Sequence, residues 1–125
     1  MVDFPEMMTW PKPVQKPYPP ILVGGGYPQA ARRAIRYGDG WCPVARSGSS
    51  LLEVLEKFRQ MAREAGRDTQ SVPVTLFNPA EDESELARYR DMGIARIVPF
   101  LPSEPRDQIL PVLDRWATLI RRTAH

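Results

Sequence analysis

After residue 20, short apolar runs alternate with stretches in which apolar residues recur every three or four positions. The apolar runs have the length of short strands and lie at residues 21–23, 40–44, 72–77 and 96–101. The stretches between and after them have the spacing of amphipathic helices and lie at about 29–37, 51–65, 82–92 and 107–122. Asp82 and Glu85 lie at the expected start of the third helix, where their side chains can cap it, and Gly93 lies where that helix is expected to end. The pattern predicts four consecutive strand–helix units.

Such an alternation predicts an α/β fold, with parallel strands joined by right-handed crossovers. Two architectures satisfy it: half of a (β/α)8 barrel, or an open four-stranded parallel α/β sandwich. A complete barrel of eight units takes about 250 residues, and the 125 residues here hold four units at the same density. The pattern alone leaves both open. In either case residues 21–125 form a single domain of four βα units.

The first 20 residues have a different composition, because they contain six of the 14 prolines. Proline fixes φ and lacks an amide donor, so this stretch is neither a helix nor an inner strand. We expect residues 1–20 to form an extended arm that leads into the domain.

Charge and composition exclude several classes of function. The net charge is +2 with no block of like charges, so we expect no nucleic acid partner and no attraction to an anionic membrane. The only histidine is His125 and the only cysteine is Cys42, which excludes a Ser-His-Asp triad, an HExxH metal site and an internal disulfide. Cys42 lies inside a predicted strand and is expected to be a buried apolar residue. We predict a soluble cytoplasmic protein without a metal site.

The junction between the first strand and helix carries the strongest chemical signal. Gly24, Gly25 and Gly26 precede Tyr27 and Pro28, the latter where a helix begins. Glycines let the backbone approach a ligand, and a helix start offers unpaired amide donors and a positive dipole end. This combination suits a phosphate group, although a close-packed tight turn has the same sequence. It matches neither the dinucleotide fingerprint nor the Walker loop.

Several motifs together resemble the second half of luciferase-like monooxygenases. They are Pro19-Pro20-Ile21-Leu22-Val23-Gly24-Gly25-Gly26, Ala30-Ala31-Arg32-Arg33, Tyr37-Gly38-Asp39-Gly40-Trp41 and Met92-Gly93-Ile94-Ala95-Arg96-Ile97-Val98. The prolines and lysines of residues 11–17 are similar to the lead-in to that family's fifth barrel strand. The branch most resembled uses the deazaflavin coenzyme F-420 or FMN.

The resemblance implies that the four units are strands five to eight of a (β/α)8 TIM barrel. It implies that the cofactor phosphate binds at the first junction and borders the end of the second strand. The residues so assigned are Gly24, Gly25, Gly26, Tyr27, Val44, Ala45 and Arg46. Arg46 is equally well explained as a solvated loop arginine. No catalytic residue is assigned, because the half that carries the family's usual catalytic groups has no counterpart here.

These observations predict a flavin- or deazaflavin-dependent oxidoreductase segment, of monooxygenase type, that binds the cofactor phosphate. The alternatives are a non-catalytic interaction or remnant module that retains the half-barrel fold, and an independent nucleotide-phosphate-binding domain. A half barrel leaves strand edges and an inner sheet face open. We therefore expect a homodimer, or pairing with a chain that supplies the first half of the barrel.

Overall fold

The computed structural model describes residues 5–8, 10–44 and 51–123, and it contains four strands, each followed by a helix. The elements in chain order are β1 (Leu22–Gly25), α1 (Gln29–Tyr37), β2 (Gly40–Pro43), α2 (Leu51–Glu64), β3 (Thr75–Phe77), α3 (Glu83–Asp91), β4 (Arg96–Val98) and α4 (Arg106–Thr123). A single 3-10 turn, Thr69–Ser71, precedes β3. The predicted βα alternation is confirmed.

All the strand pairs are parallel. β1 pairs with β2, with Val23 opposite Trp41, and β3 pairs with β4. A bridge between Trp41 and Val74 joins the two pairs, so the strands lie in their chain order. The α/β class with parallel strands is therefore confirmed. β3 and β4 are shorter than predicted, with three residues each, because Pro73 and Pro99 flank them and lack the amide that a ladder needs.

One face of the sheet packs against the helices. Val23 and Trp41 meet a row of small residues on α1 and the apolar side of α2. The ring centroids of Trp41 and Phe58 are 4.6 Å apart. The buried core cluster consists of Val23, Ala30, Ala31, Ala34, Ile35, Trp41, Leu55, Phe58, Ala62, Val72, Val74 and Leu76. The inward face of α1 consists of Ala30, Ala31, Ala34 and Ile35.

The opposite face of the sheet lies outside that core. Since side chains alternate along a strand, the register aligns Gly24, Cys42, Thr75 and Arg96 in one row across this face. Cys42 and Thr75 are buried, but neither belongs to the core cluster. Phe77, two residues beyond Thr75, is 59% exposed. This second face therefore presents one polar row and an exposed aromatic ring.

The ends of the helices are held by side chains. The carboxylate of Asp82 accepts hydrogen bonds from the Glu85 amide at 2.9 Å and from the Ser84 hydroxyl at 2.5 Å, which confirms the predicted cap of α3. Gly93 has a φ of +76°, as expected of a residue that ends a helix. The last turn of α1 is held differently, by the guanidinium of Arg67 from the loop after α2.

The described part of the arm, residues 5–8 and 10–20, contains no helix or strand and is exposed throughout. Trp10 and Val14 are its most prominent apolar side chains, and the Lys12 ammonium lies 5.2 Å from the centroid of a Trp10 ring. Among the described helices, none is long and apolar enough to cross a membrane.

Candidate functional site

The glycine turn, residues 24–28, connects β1 to α1 at the carboxyl edge of the sheet. Gly24 and Gly25 are the last residues of β1, and Pro28 is the N-cap of α1. Gly25 is opposite Pro43, the last residue of β2. The turn and Val44 therefore leave the sheet side by side. The structure thus places the glycine turn beside Val44, one of the residues that the resemblance assigned to the phosphate.

Three amides of the turn have no hydrogen-bond partner among the described residues. The Gly26 carbonyl accepts a hydrogen bond from the Ala30 amide at 3.1 Å. The amides of Gly26, Tyr27 and Gln29, by contrast, donate to no other group within residues 5–8, 10–44 and 51–123. Unpaired amides at a helix start, where the dipole is positive, favour an anion.

The three glycines have different roles, although one reason was expected to apply to all of them. Gly25 has a φ of +129°, and a Cβ on it would lie 2.9 Å from the Ala30 Cβ, so the turn itself requires glycine there. A Cβ on Gly24 or Gly26 would meet no heavy atom within 4 Å. These two positions are open to a ligand. The sequence argument, that a Cβ would obstruct a ligand, therefore applies to Gly24 and Gly26.

Trp41 forms a hydrogen bond to the backbone of the glycine turn from the core side of the sheet. Its indole Nε1 donates a hydrogen bond to the Gly25 carbonyl at 3.1 Å, and the residue has no exposed surface. No sequence pattern connected Trp41 to the turn. This hydrogen bond depends on the strand register, because Gly25 is opposite Pro43 and Trp41 lies two residues before Pro43 in β2.

Arg33 is a second residue that the sequence did not assign to the site. Its Nη2 lies 3.7 Å from the position that a Cβ on Gly25 would occupy, and its side chain is exposed. Arg32, Arg33 and Arg36 are the exposed basic residues of α1. The structure sets one of these three guanidinium groups beside the glycine turn, where it adds positive charge.

The other predicted site residues are only partly located by the structure. Tyr27 is half-buried and packs against the core cluster. Val44 follows β2 directly and is 62% exposed. Ala45 and Arg46 lie outside the described residues.

The buried thiol of Cys42 is not activated as a nucleophile. Burial raises the pKa of the Cys42 thiol, although the Thr75 side-chain hydrogen bond and the Arg96 charge act in the opposite direction. The neutral thiol is a poor nucleophile. No group of three or more metal-ligating side chains occurs in the described ranges. The arrangement can hold an anionic group by backbone amides and one nearby cation.

Comparison with known proteins gives one family match and several relatives. Residues 2–108 match the family described as luciferase-like monooxygenase. An uncharacterized protein of Mycobacterium bovis, and one of Mycobacterium tuberculosis, are each 30% identical over 118 residues, which is 93% of this chain and 40% of the relative. An F420-dependent hydroxymycolic acid dehydrogenase of Mycobacterium tuberculosis is 40% identical over 76 residues, 59% of this chain and 21% of the relative. No solved structure gives a significant match. The chain thus spans well under half the length of these relatives.

Proposed function

The chain belongs to the luciferase-like monooxygenase family, and we propose that it is the part of a flavin- or deazaflavin-dependent oxidoreductase that binds the cofactor phosphate. The cofactor is coenzyme F-420 or FMN. The dependence of one relative on F420 supports the deazaflavin in particular. When bound, the cofactor supplies hydride or oxygen chemistry, while the protein binds and orients it.

The observation that carries this proposal is the set of unpaired amides at the start of α1. Gly26, Tyr27 and Gln29 offer three donors to an anion at one end of a nine-residue helix. Gly24 and Gly26 leave room for the phosphate, and Arg33 adds a cation beside it. The donor set and the open space fit a phosphate monoester or diester. On the second strand, Val44, Ala45 and Arg46 border the phosphate in this proposal.

We also propose that the four βα units form the second half of a (β/α)8 barrel. Its support is the chain-order sequence of parallel strands and the packing of the core on one face only. The other face, with Cys42, Thr75, Arg96 and Phe77, then faces the barrel interior. The glycine turn lies at the carboxyl ends of the strands, where barrel enzymes bind their ligands. A second copy, or a chain that supplies the other strands, covers this face.

A titration with matched ligands tests phosphate binding. FMN and riboflavin differ only in the phosphate and are the matched pair, whereas coenzyme F-420 differs from its phosphate-free deazariboflavin in the whole phosphate-linked side chain and serves as a second comparison. Charge-assisted hydrogen bonds to the phosphate are expected to favour the phosphorylated form by roughly tenfold to a hundredfold. Gly26→Val and Arg33→Ala should each reduce this preference. Arg36→Ala is the matched control, because Arg36 lies on the same helix but in its last turn.

Two results would contradict the proposal. Equal affinity for both members of each ligand pair would show that the phosphate is not recognised. If the folded protein binds neither cofactor, the interaction or remnant module becomes the better account. Circular dichroism of each variant shows whether it retains the fold.

A further inference from the structure

We propose that Trp41 is a positioning residue, which orients the peptide group between Gly25 and Gly26 and so determines the preference for a phosphorylated cofactor. This inference rests on the proposed function, since it concerns how the glycine turn recognises the phosphate. Trp41 does not touch the cofactor in this proposal. It acts through the backbone of the turn.

The indole of Trp41 is held rigidly. Its backbone amide donates to the Pro73 carbonyl at 3.0 Å, its neighbour in the sheet is Val23, and its ring packs at 33° against that of Phe58. The ring is fully buried, so its N–H needs a partner inside the protein. That partner is the Gly25 carbonyl, 3.1 Å away. Two strands and a helix therefore fix the position of the donor.

This hydrogen bond also sets the direction of the next amide. The Gly25 carbonyl and the Gly26 N–H belong to one planar trans peptide group, in which the two bonds point in opposite directions. A carbonyl held toward Trp41 directs the Gly26 N–H away from the core. That N–H is one of the three unpaired donors of the turn.

Without the indole donor, the peptide group can turn over more easily. Glycine stands on both sides of it, and glycine has access to backbone conformations that other residues avoid. In the reversed orientation the carbonyl oxygen faces the phosphate in place of the N–H. Apparent affinity falls in proportion to the fraction of molecules that hold the competent orientation. Trp41 raises that fraction.

Trp41→Phe tests the inference, because it removes the N–H and keeps an aromatic ring. We expect the affinity for FMN and for coenzyme F-420 to fall roughly three- to tenfold, the worth of one hydrogen bond, with the affinity for riboflavin unchanged. Trp116→Phe is the matched control, since it makes the same change at a buried tryptophan of α4 that lies outside the core cluster. It should leave the ratio of FMN to riboflavin affinity as in the parent protein.

A second variant serves if Trp41→Phe does not fold. Site-specific replacement of Trp41 by 3-benzothienylalanine keeps the bicyclic ring and exchanges the N–H for sulfur. The amide resonance of Gly26 in a 1H–15N spectrum, without any cofactor, gives an independent measurement. It should shift or broaden when the indole donor is lost, while that of Gly66 stays in place.

The outcomes separate the two proposals. If the parent prefers phosphorylated ligands and the Trp41 variant keeps that preference in full, the inference is overturned and the phosphate site stands. If the parent has no such preference, the proposed function fails, and with it the role given to Trp41. An unchanged Gly26 resonance in a folded variant overturns the inference whatever the ligands show.

Discussion

Arg67 offers the sharpest test of what holds the domain together. Its Nη1 donates to the Ile35 carbonyl and its Nη2 to the Gly38 carbonyl, each at 2.7 Å, and its Nε donates to the Ser71 hydroxyl at 3.1 Å. The first two acceptors belong to the last turn of α1 and the residue after it. One guanidinium thus satisfies carbonyls that the helix leaves unpaired, at the negative end of its dipole.

The cost of removing this contact follows from those bonds. Hydrogen bonds to a charged group contribute about 1.5–3 kcal/mol each. Because Arg67 is half-exposed, we place its two 2.7 Å hydrogen bonds at or below the lower end of that range. We therefore expect Arg67→Met to lower the free energy of unfolding by about 2 kcal/mol, which corresponds to a fall in Tm of roughly 6–8 °C for a chain of this length. Arg67→Lys keeps the charge but not the fork geometry, so about half of that loss is expected.

Urea denaturation followed by circular dichroism measures both changes. The midpoint should fall while the m-value stays constant, because the buried surface does not change. Arg63→Met is the control, since Arg63 is exposed and donates to Gln60 within the same helix. A loss below about 0.5 kcal/mol for Arg67→Met, the range of ordinary surface substitutions, would refute the reasoning. So would an equal loss for Arg63→Met.

Three further predictions concern reactivity, pH and assembly. The raised pKa of the buried Cys42 thiol predicts slow reaction with Ellman's reagent at pH 8 and fast reaction in guanidinium, so a fast native reaction would contradict it. Hydrogen bonds from Ser84 and Glu85 lower the pKa of Asp82, so its stabilising effect is present at pH 7 and lost as the pH falls through that lowered value. Thermal melts should show a lower Tm for Asp82→Ala at pH 7, a gap that narrows as the pH falls below the ordinary range of a carboxyl group, and a smaller loss for Asp82→Asn; a gap of constant size across that range would refute this. The open sheet face predicts self-association of this chain in sedimentation equilibrium at micromolar concentration, which a cooperatively folding monomer would disprove.

Local signals in the sequence were sufficient for the elements and insufficient for the contacts between them. The periodicity predicted all four βα units, and Asp82 and Gly93 marked the ends of α3, because these features depend on neighbours within one turn. The Trp41–Gly25 hydrogen bond depends instead on the register of two strands. The position of Arg33 depends on how α1 packs against β1. Neither quantity is encoded in a local pattern, so the sequence located the turn but not the groups that support it.

The sequence alone does not show that the turn requires glycine at Gly25, whereas Gly24 and Gly26 leave space for a ligand. Gly25 differs from Gly24 and Gly26 in its positive φ and in the nearness of Ala30, and both follow from the tertiary path of the turn. The strand lengths are a simpler case. Pro99 was visible in the sequence, and its lack of an amide donor explains why β4 ends at Val98.

The buried residues are distributed unevenly along the chain, which affects how the domain opens. The core cluster lies within residues 23–76, whereas from residue 83 to residue 123 only Leu86 and Trp116 are buried. Tyr89, Met92 and Ile94 pack against the cluster from that segment but are only partly buried. Local opening free energy follows the amount of buried apolar contact. We therefore expect the amides from α3 to α4 to exchange with solvent deuterium before those around Trp41.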